Sequence, residues 1–359
     1  MALKGLEQWW RRRWIALLVR MMRRADTVRP DWSARPTRVL FLRHDRAGDM
    51  IVSTGVMRSI ARSHPTITLD VLASPLNASL VRHADYLHEV IVFDKKKSGN
   101  YLATIQRLRR ANYDAVIDCM VTAPSVTTLL LILASGARYR VGIAGRGNDA
   151  AFNIAIPGET SDDAHMVDRL AKLATAFRPA LSAADRQPSL EFEDDEITRA
   201  LERWNATSGS HRVLINISAG TGERLWPDEN YIAVMRHIRA RSPNATMRVI
   251  ASPSELDRAA RIARGGDGEA VPTPSIREAL ALVATADFVF TPDTSIAHAV
   301  SALQRPSVAI YGKGSRARWG LYGAPGESVE HTSPDRSLVE LPVERVLPAI
   351  DRVWDEFVD

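Results

Sequence analysis

The sequence predicts an α/β protein built from doubly wound parallel sheets, two of them in series. Three observations carry this. From Arg38 to Pro188, short apolar runs that read as buried strands alternate with longer stretches of helical spacing. The stretch "PALSAADRQPSLEFEDDE" then turns to Pro, Ser and acid, and the same alternation restarts behind it. The chain has 359 residues, 45% hydrophobic and 25% charged, which is enough for two cores.

In the first half the strand candidates are Val39–Leu42, Thr66–Leu72, Glu89–Phe93, Ala115–Cys119 and Tyr139–Gly142. Each is short, rich in β-branched or large apolar residues, and bounded by polar turn residues. Helical spacing fills Met50–Ser63, Tyr101–Ala111 and Ser125–Ala134, and Ala164–Phe177 reads as a long closing helix. In the second half the strands are Arg212–Ile217, Thr246–Ala251, Asp287–Phe290 and Ser307–Tyr311. The helices are Asp228–Arg241, Ser254–Arg264, Ser275–Ala284 and Thr294–Leu303, with Val343–Phe357 last. "EFEDDE" reads as a solvated helix start. Parallel sheets of this kind bind ligands beyond the carboxyl ends of their strands, so two facing domains predict a site in the cleft between them.

The net charge of +5 is unevenly spread. Residues 1–29 hold eight Lys/Arg and two acids, whereas the rest holds 39 basic and 40 acidic residues. The body is therefore near neutral, which argues against a nucleic-acid partner. "MALKGLEQWWRRRWIALLVRMMRRADTVRP" places Leu3, Leu6, Trp10, Trp14, Leu17 and Met21 on one helical stripe opposite arginines. That pattern fits a helix lying on an anionic membrane surface, or equally one that docks on the protein's own body. "ADTVRPDWSARPTR" reads as a linker. The single cysteine, Cys119, rules out an internal disulfide and fits a reducing cytosol. No apolar run reaches membrane-spanning length.

Several chemistries are disfavoured. Gly312-Lys313-Gly314-Ser315 has the wrong order for a P-loop, and there is no G-x-G-x-x-G. Ser218 in "NISAG" falls one residue short of a nucleophile elbow. No D-x-D pair is present to hold a divalent metal against a sugar nucleotide.

Three loops at strand ends carry the functional reading. "HDRAGDMIVSTG" (His44–Gly55) turns from a strand into a helix with Asp49 in the first turn. A helix N-terminus welcomes anions, so the acid there is either dipole complement or chemistry. "NISAGTGERLWPDENY" offers Arg224 as the cation of its loop, a surface arginine or a phosphate clamp. "FVFTPDTSIAHAVSALQRPSVAIYG" places Thr294 and Ser295 as N-cap types whose hydroxyls and free N–H groups suit a diphosphate. His298 lies inside that helix, where packing is the commoner role.

At these loops the sequence resembles glycosyltransferase family 9, the bacterial ADP-heptose:lipopolysaccharide heptosyltransferases. "LRHDRAGDMIVSTGVMRSI", "RYRVGI", "HMVDRLAKL", "GERLWPDENY", "TPDTSIAHAVSALQRPSVAIYG" and "RARWGLYG" follow that family's motifs in order over residues 38–325. The resemblance implies a GT-B fold of two Rossmann-like domains, with metal-independent, inverting transfer and no cofactor. It implies an acceptor domain over 36–186 and a nucleotide-sugar domain over 187–340, flanked by helical segments 1–30 and 341–359. Asp49 falls on the family's catalytic base and Arg224 on a phosphate-binding lysine. Asp293, Thr294, Ser295 and His298 fall on the donor motif, and Glu255 of "ASPSELDR" on a ribose contact. Arg43, Arg46, Arg58 and Arg62 are expected to attract acceptor anions or else to form a solvated surface. The expected protein is a cytoplasmic enzyme, peripheral at the inner membrane through residues 1–29. It would move heptose from ADP-heptose to an anionic lipopolysaccharide acceptor. The alternatives are a GT-B transferase of another nucleotide sugar and a catalytically silent nucleotide-sugar-binding protein.

Overall fold

The computed structural model describes residues 2–22, 29–121, 123–145, 148–158, 163–177, 181–219, 225–332 and 337–359, the side chains of 2–8, 11, 12 and 98 excepted. The chain divides into two compact units, Met1–Pro188 and Ser189–Asp359.

The first unit contains α1 (Ala2–Met22), β1 (Thr37–Arg43), α2 (Ala47–Ala61), β2 (Ile67–Ala73), β3 (Glu89–Val92) and α3 (Ser98–Ala111). It continues with β4 (Ala115–Asp118), α4 (Val126–Ser135), β5 (Tyr139–Ile143), β6 (Ile154–Ile156), α5 (Met166–Ala171) and α6 (Ala183–Arg186). The six strands form one sheet in the order β3-β2-β1-β4-β5-β6, all neighbours parallel. The central strands are covered on both faces, so Val39–Leu42 of β1 and Ala115–Ile117 of β4 are apolar without alternation. β6, missed in the sequence, is three residues long, too short for a periodic signal. The helix expected over Ala164–Phe177 is instead α5 followed by a 3₁₀ turn at Lys172–Ala176. The tighter winding brings Leu173, Ala174 and Ala176 into the core beside β5 and β6.

Short connections explain two further features. Gly55 lets α2 lie directly on the chain at Arg186: a Cβ there would sit 2.2 Å from the Arg186 carbonyl oxygen. The β5–β6 link carries only a 3₁₀ turn, Asp149–Ala151, and α1 packs on that turn and on α4. Leu18 and Met22 of α1 thereby join the core formed by Leu40, Leu42, Val116, Leu129 and Ile132. Arg140 of β5 donates to the Met22 carbonyl at 2.6 Å, satisfying a helix C-terminal acceptor. The docked face is thus Ile15, Leu18, Val19 and Met22, while Trp10, Trp14, Leu17 and Met21 of the predicted stripe are exposed. The side chains of Leu3 and Leu6 lie outside the described residues. In the following linker Trp32 is buried. It stacks on Phe177 with centroids 4.7 Å apart, and its indole donates to the Ala176 carbonyl.

The second unit contains α7 (Asp194–Trp204), β7 (Arg212–Asn216), α8 (Asp228–Arg241), β8 (Thr246–Ile250), α9 (Leu256–Gly265), β9 (Glu269–Ala270) and α10 (Ile276–Thr285). There follow β10 (Phe288–Pro292), α11 (Ser295–Leu303), β11 (Ser307–Tyr311), α12 (Arg316–Trp319), β12 (Gly326–Glu330) and α13 (Leu347–Phe357). Its sheet is again six parallel strands, ordered β12-β11-β10-β7-β8-β9. The short β9 and the polar β12 close its two edges. The acidic stretch before β7 starts α7, and Trp204 at the end of that helix is fully buried with its indole on Thr285. α13 packs on β11 and β12, with Ile350, Val353 and Trp354 in the core.

Gly55→Ala tests the closest of these contacts. Alanine is ordinarily worth about 1 kcal/mol over glycine inside a helix. Here the overlap falls on backbone that no rotamer change relieves, so we expect a net loss of about 1–3 kcal/mol. A thermal melt of the variant should shift downward; a melt at or above that of the wild type would contradict the packing of α2 on Arg186.

Candidate active site

In each unit the strand order reverses between the two strands that carry the candidate residues. β1 and β4 flank the reversal in the first unit, β7 and β10 in the second. Connections leave such a pair toward opposite faces, which opens a crevice at their carboxyl ends.

At the end of β1, Arg43 is only 3% exposed. Its Nε donates to Ser53 Oγ at 2.9 Å. Its Nη1 lies 3.0 Å from Asp45 Oδ2 and 3.9 Å from Asp49 Oδ1. Its Nη2 points at the Cys119 carbonyl, 3.5 Å away. Burial opposes the charge of Arg43, but Asp45 and Asp49 more than offset this and hold its pKa above the ordinary value. Asp49 sits in the first turn of α2, whose N-cap Arg46 makes no side-chain cap hydrogen bond. Burial raises the Asp49 pKa; Arg43 works against that rise and Asp45 with it. The carboxylate is half-buried, so it is both ionisable and reachable.

Three more residues gather here that sequence spacing did not single out. Asn77, fully buried in the loop after β2, donates to the Arg43 carbonyl at 3.1 Å and accepts from Ser74 N at 2.7 Å. It fixes the turn that presents Asp45 and Asp49. Asp118 ends β4 and is 2% exposed. Its Oδ1 accepts from Met120 N, whereas its Oδ2 has no partner among the described residues. Compare Asp70, equally buried, which is served by Arg38, His88 and Tyr113. Burial pushes the Asp118 carboxyl up to about 6. His44 is buried between Thr128, 3.2 Å away, and the Phe93 ring, and burial lowers its pKa.

The four arginines expected at the acceptor end take different places. Arg43 is spent on Asp45 and Asp49. Arg58 donates to the Ala184 and Gln187 carbonyls and so ties α2 to the chain before Pro188. Arg62 pairs with Asp85 on the surface at 3.0 Å. Arg46 is exposed at the start of α2.

In the second unit, Asn216 at the end of β7 bridges the strand reversal. Its Nδ2 donates to Thr291 Oγ1 at 2.9 Å and to Thr294 Oγ1 at 3.0 Å. Thr294 is the N-cap of α11 and accepts from Ile296 N. The first N–H groups of α11 thus open beside the hydroxyls of Thr294 and Ser295, the pattern that suits an anion. Asp293 is buried and accepts from Ser315 Oγ at 2.6 Å, which joins the loops after β10 and β11. His298 is buried, its ring 5.6 Å from that of Trp319, in a packing position within α11. Glu255 accepts from Ser252 Oγ at 2.6 Å and faces Arg258 at 3.4 Å. Arg258, not anticipated, also binds Asp228 and the carbonyls of Ile217 and Trp226, so it organises the loops after β7 and β8. Trp226 is buried with its indole on the Leu341 carbonyl. Arg224 lies outside the described residues.

The unpaired oxygen of Asp118 generates a prediction with a definite sign. Its folded-state pKa lies above the unfolded value, so the buried charge costs stability at neutral pH and the cost is relieved as pH falls through about 6. Asp118→Asn should therefore raise stability by about 2 kcal/mol at about pH 8 and by almost nothing at about pH 4. Denaturant melts at both values decide it; an equal effect at both would remove the buried charge as the cause.

With this geometry in view, comparison with known proteins is direct. Lipopolysaccharide heptosyltransferase 1 of Escherichia coli (strain K12) is 23% identical over 325 residues, covering 86% of this chain and 98% of that protein. The structure of the glycosyl transferase family 9 from Veillonella parvula superposes with a TM-score of 0.75 at 16% identity, over 90% of this chain and 99% of that one. The E. coli heptosyltransferase WaaC with ADP gives a TM-score of 0.70 at 20% identity, over 88% and 100% of the two chains. The fold is the GT-B architecture. The profile described as "Glycosyltransferase family 9 (heptosyltransferase)" matches residues 101–339, more than half of the chain, and the protein therefore belongs to that family and is a glycosyltransferase.

Proposed function

We propose that the protein moves heptose from ADP-heptose onto a lipopolysaccharide-core acceptor by an inverting, metal-independent reaction in which Asp49 is the general base. The observation that carries this reading is the pairing of a half-buried carboxylate with a buried guanidinium at the strand reversal of the first unit. It is supported by relatives named as lipopolysaccharide heptosyltransferases and by a solved neighbour that holds ADP.

In the proposed step the acceptor hydroxyl oxygen bonds to the anomeric carbon from the face opposite the diphosphate. The carbon–oxygen bond to the diphosphate breaks, ADP leaves as an anion, and the hydroxyl proton passes to Asp49. A carboxylate suffices because it need only take the proton as the new bond forms. Burial raises the pKa of Asp49, which suits a proton acceptor; Arg43 partly opposes that rise, and it lies closer to Asp45, at 3.0 Å, than to Asp49, at 3.9 Å. The leaving diphosphate is met by the N–H groups and hydroxyls at Thr294 and Ser295 and by Arg224, positive groups that stand where a metal ion would otherwise be needed. Asp293, Glu255 and His298 belong to the donor end, with Glu255 preset by Ser252 to accept from ribose. Of the four arginines we assign the acceptor anion to Arg46, which is exposed, whereas Arg43, Arg58 and Arg62 are engaged by protein groups.

Asp49→Asn should lower kcat by about a hundredfold or more while ADP affinity stays within about twofold. The assay is turnover of ADP-heptose after exhaustive chelation, beside calorimetry with ADP. Near-normal turnover in the variant would remove Asp49 as the base. Loss of wild-type turnover on chelation, restored by magnesium, would overturn the metal-free step.

Arg224→Ala should weaken ADP binding by about 1.5–3 kcal/mol, and Arg224→Lys should retain part of that affinity. Calorimetric affinities equal to wild type in the alanine variant would exclude the phosphate contact.

A further inference from the structure

We propose that the outer face of the layer formed by α1, α4 and α3 is a docking surface for an anionic lipid bilayer, wider than the N-terminal helix alone. The proposal is independent of which donor and acceptor the enzyme uses.

The three helices lie side by side, α1 on α4 and α4 on α3, and their inner faces share one core. Their outer faces are unusually apolar. Eight of the fourteen exposed large hydrophobic side chains among the described residues fall on these three helices. On α1 they include Trp10, Trp14, Leu17 and Met21, the last 64% exposed. On α4 they are Leu130 and Leu133, and on α3 Leu102, 63% exposed. A monomer gains nothing in water from so many exposed apolar side chains on one helical layer, and such surfaces mark interaction sites.

Charge identifies the occupant. α1, α3 and α4 together contain eight Lys/Arg and one acid, Glu7. Lys95, Lys96 and Lys97, all exposed, lead into α3. Residues 1–29 carry a surplus of six positive charges over a near-neutral remainder, and on this layer Arg13, Arg20, Arg109 and Arg110 are exposed. A second copy of the chain would have to bring two such faces together against their repulsion. A surface of negative headgroups over hydrocarbon satisfies both features at once. Arginine reaches phosphate, Leu and Met enter the acyl boundary, and tryptophan prefers the level between. Arg13 already lies over the Trp9 ring at 4.1 Å, a pairing that keeps a cation beside an interfacial ring. No helix among the described residues is long and apolar enough to cross a membrane, so the contact is with one leaflet. Two short apolar patches without the charge would hold weakly; the combination of signals is what gives stable attachment.

The test is co-sedimentation of the full chain with phosphatidylcholine vesicles, with and without phosphatidylglycerol. Wild type should bind the anionic vesicles, and raised salt should weaken but not abolish binding. Trp14→Ser with Leu17→Ser, Leu130→Ser with Leu133→Ser, and Arg109→Ser with Arg110→Ser should each lower the partition coefficient by about tenfold. Melting temperature and ADP affinity should be unchanged in all three, which separates the result from misfolding and from the donor reading. Equal binding to neutral and anionic vesicles would overturn the proposal, as would no binding to either. Full binding by the α4 pair would also overturn it, because the surface would then be α1 alone. Self-association of wild type that these variants abolish, seen by light scattering without lipid, would assign the face to a second copy instead.

Discussion

A parallel doubly wound sheet has one place where adjacent strands send their connections to opposite faces, and the candidate residues of each unit depend on it. In the first unit the place is between β1 and β4, in the second between β7 and β10. Backbone groups at these strand ends are not covered by a crossover helix. They are free to be satisfied by polar side chains or by a ligand. The two units answer this shared constraint with opposite chemistry. The first fills its crevice with charge: Arg43, Asp45, Asp49 and Asp118. The second uses neutral groups: Asn216, Thr291 and Thr294 around the start of α11.

That difference fits the roles proposed for the two sets of residues. A base needs a pKa that its surroundings adjust, and only charges and burial move a pKa far. Burial raises the pKa of Asp49 and Arg43 opposes that rise, while the buried guanidinium itself cannot be left without carboxylates. A diphosphate is already fully charged and needs donors aimed at it in advance. Fixed N–H groups and hydroxyls, oriented by an asparagine amide, provide that without a carboxylate competing for them. Asp293 is the acid nearest this loop, and its Oδ2 is occupied by Ser315.

The sequence disclosed the architecture because long buried strands such as β1 and β10 leave apolar runs that no other structure explains. It also placed Asp49, Thr294 and Ser295 at strand-to-helix turns, since those turns are marked by local residue types. It did not disclose Asp118, Asn77 or Arg258. Each acts through partners distant in the chain: Asn77 on Arg43, Arg258 on Asp228, Asp118 beside the Arg43 network. An isolated aspartate at a strand end looks the same whether it is served, like Asp70, or left with a free oxygen, like Asp118. Nor does residue type separate an arginine that ties the chain together, such as Arg58, from one that faces solvent, such as Arg46.

The N-terminal helix shows that periodicity can find an apolar stripe without finding the face that docks. Trp10, Trp14, Leu17 and Met21 form one apolar stripe, and such a stripe ordinarily marks the buried side. In the structure the buried side is a second one, Ile15, Leu18, Val19 and Met22. The cause lies elsewhere in the chain. Among the described residues the β5–β6 link carries a 3₁₀ turn and no α-helix, so the sheet surface over those strands needs cover from another segment. α1 provides it with one flank, and Arg140 closes its C-terminal end. α1 lies on α4 and on the 3₁₀ turn, and the second apolar stripe is left facing outward. One helix thus completes the sheet's cover with one face and presents tryptophans to the surroundings with another, because a helix laid on a sheet can bury only the side it lies on.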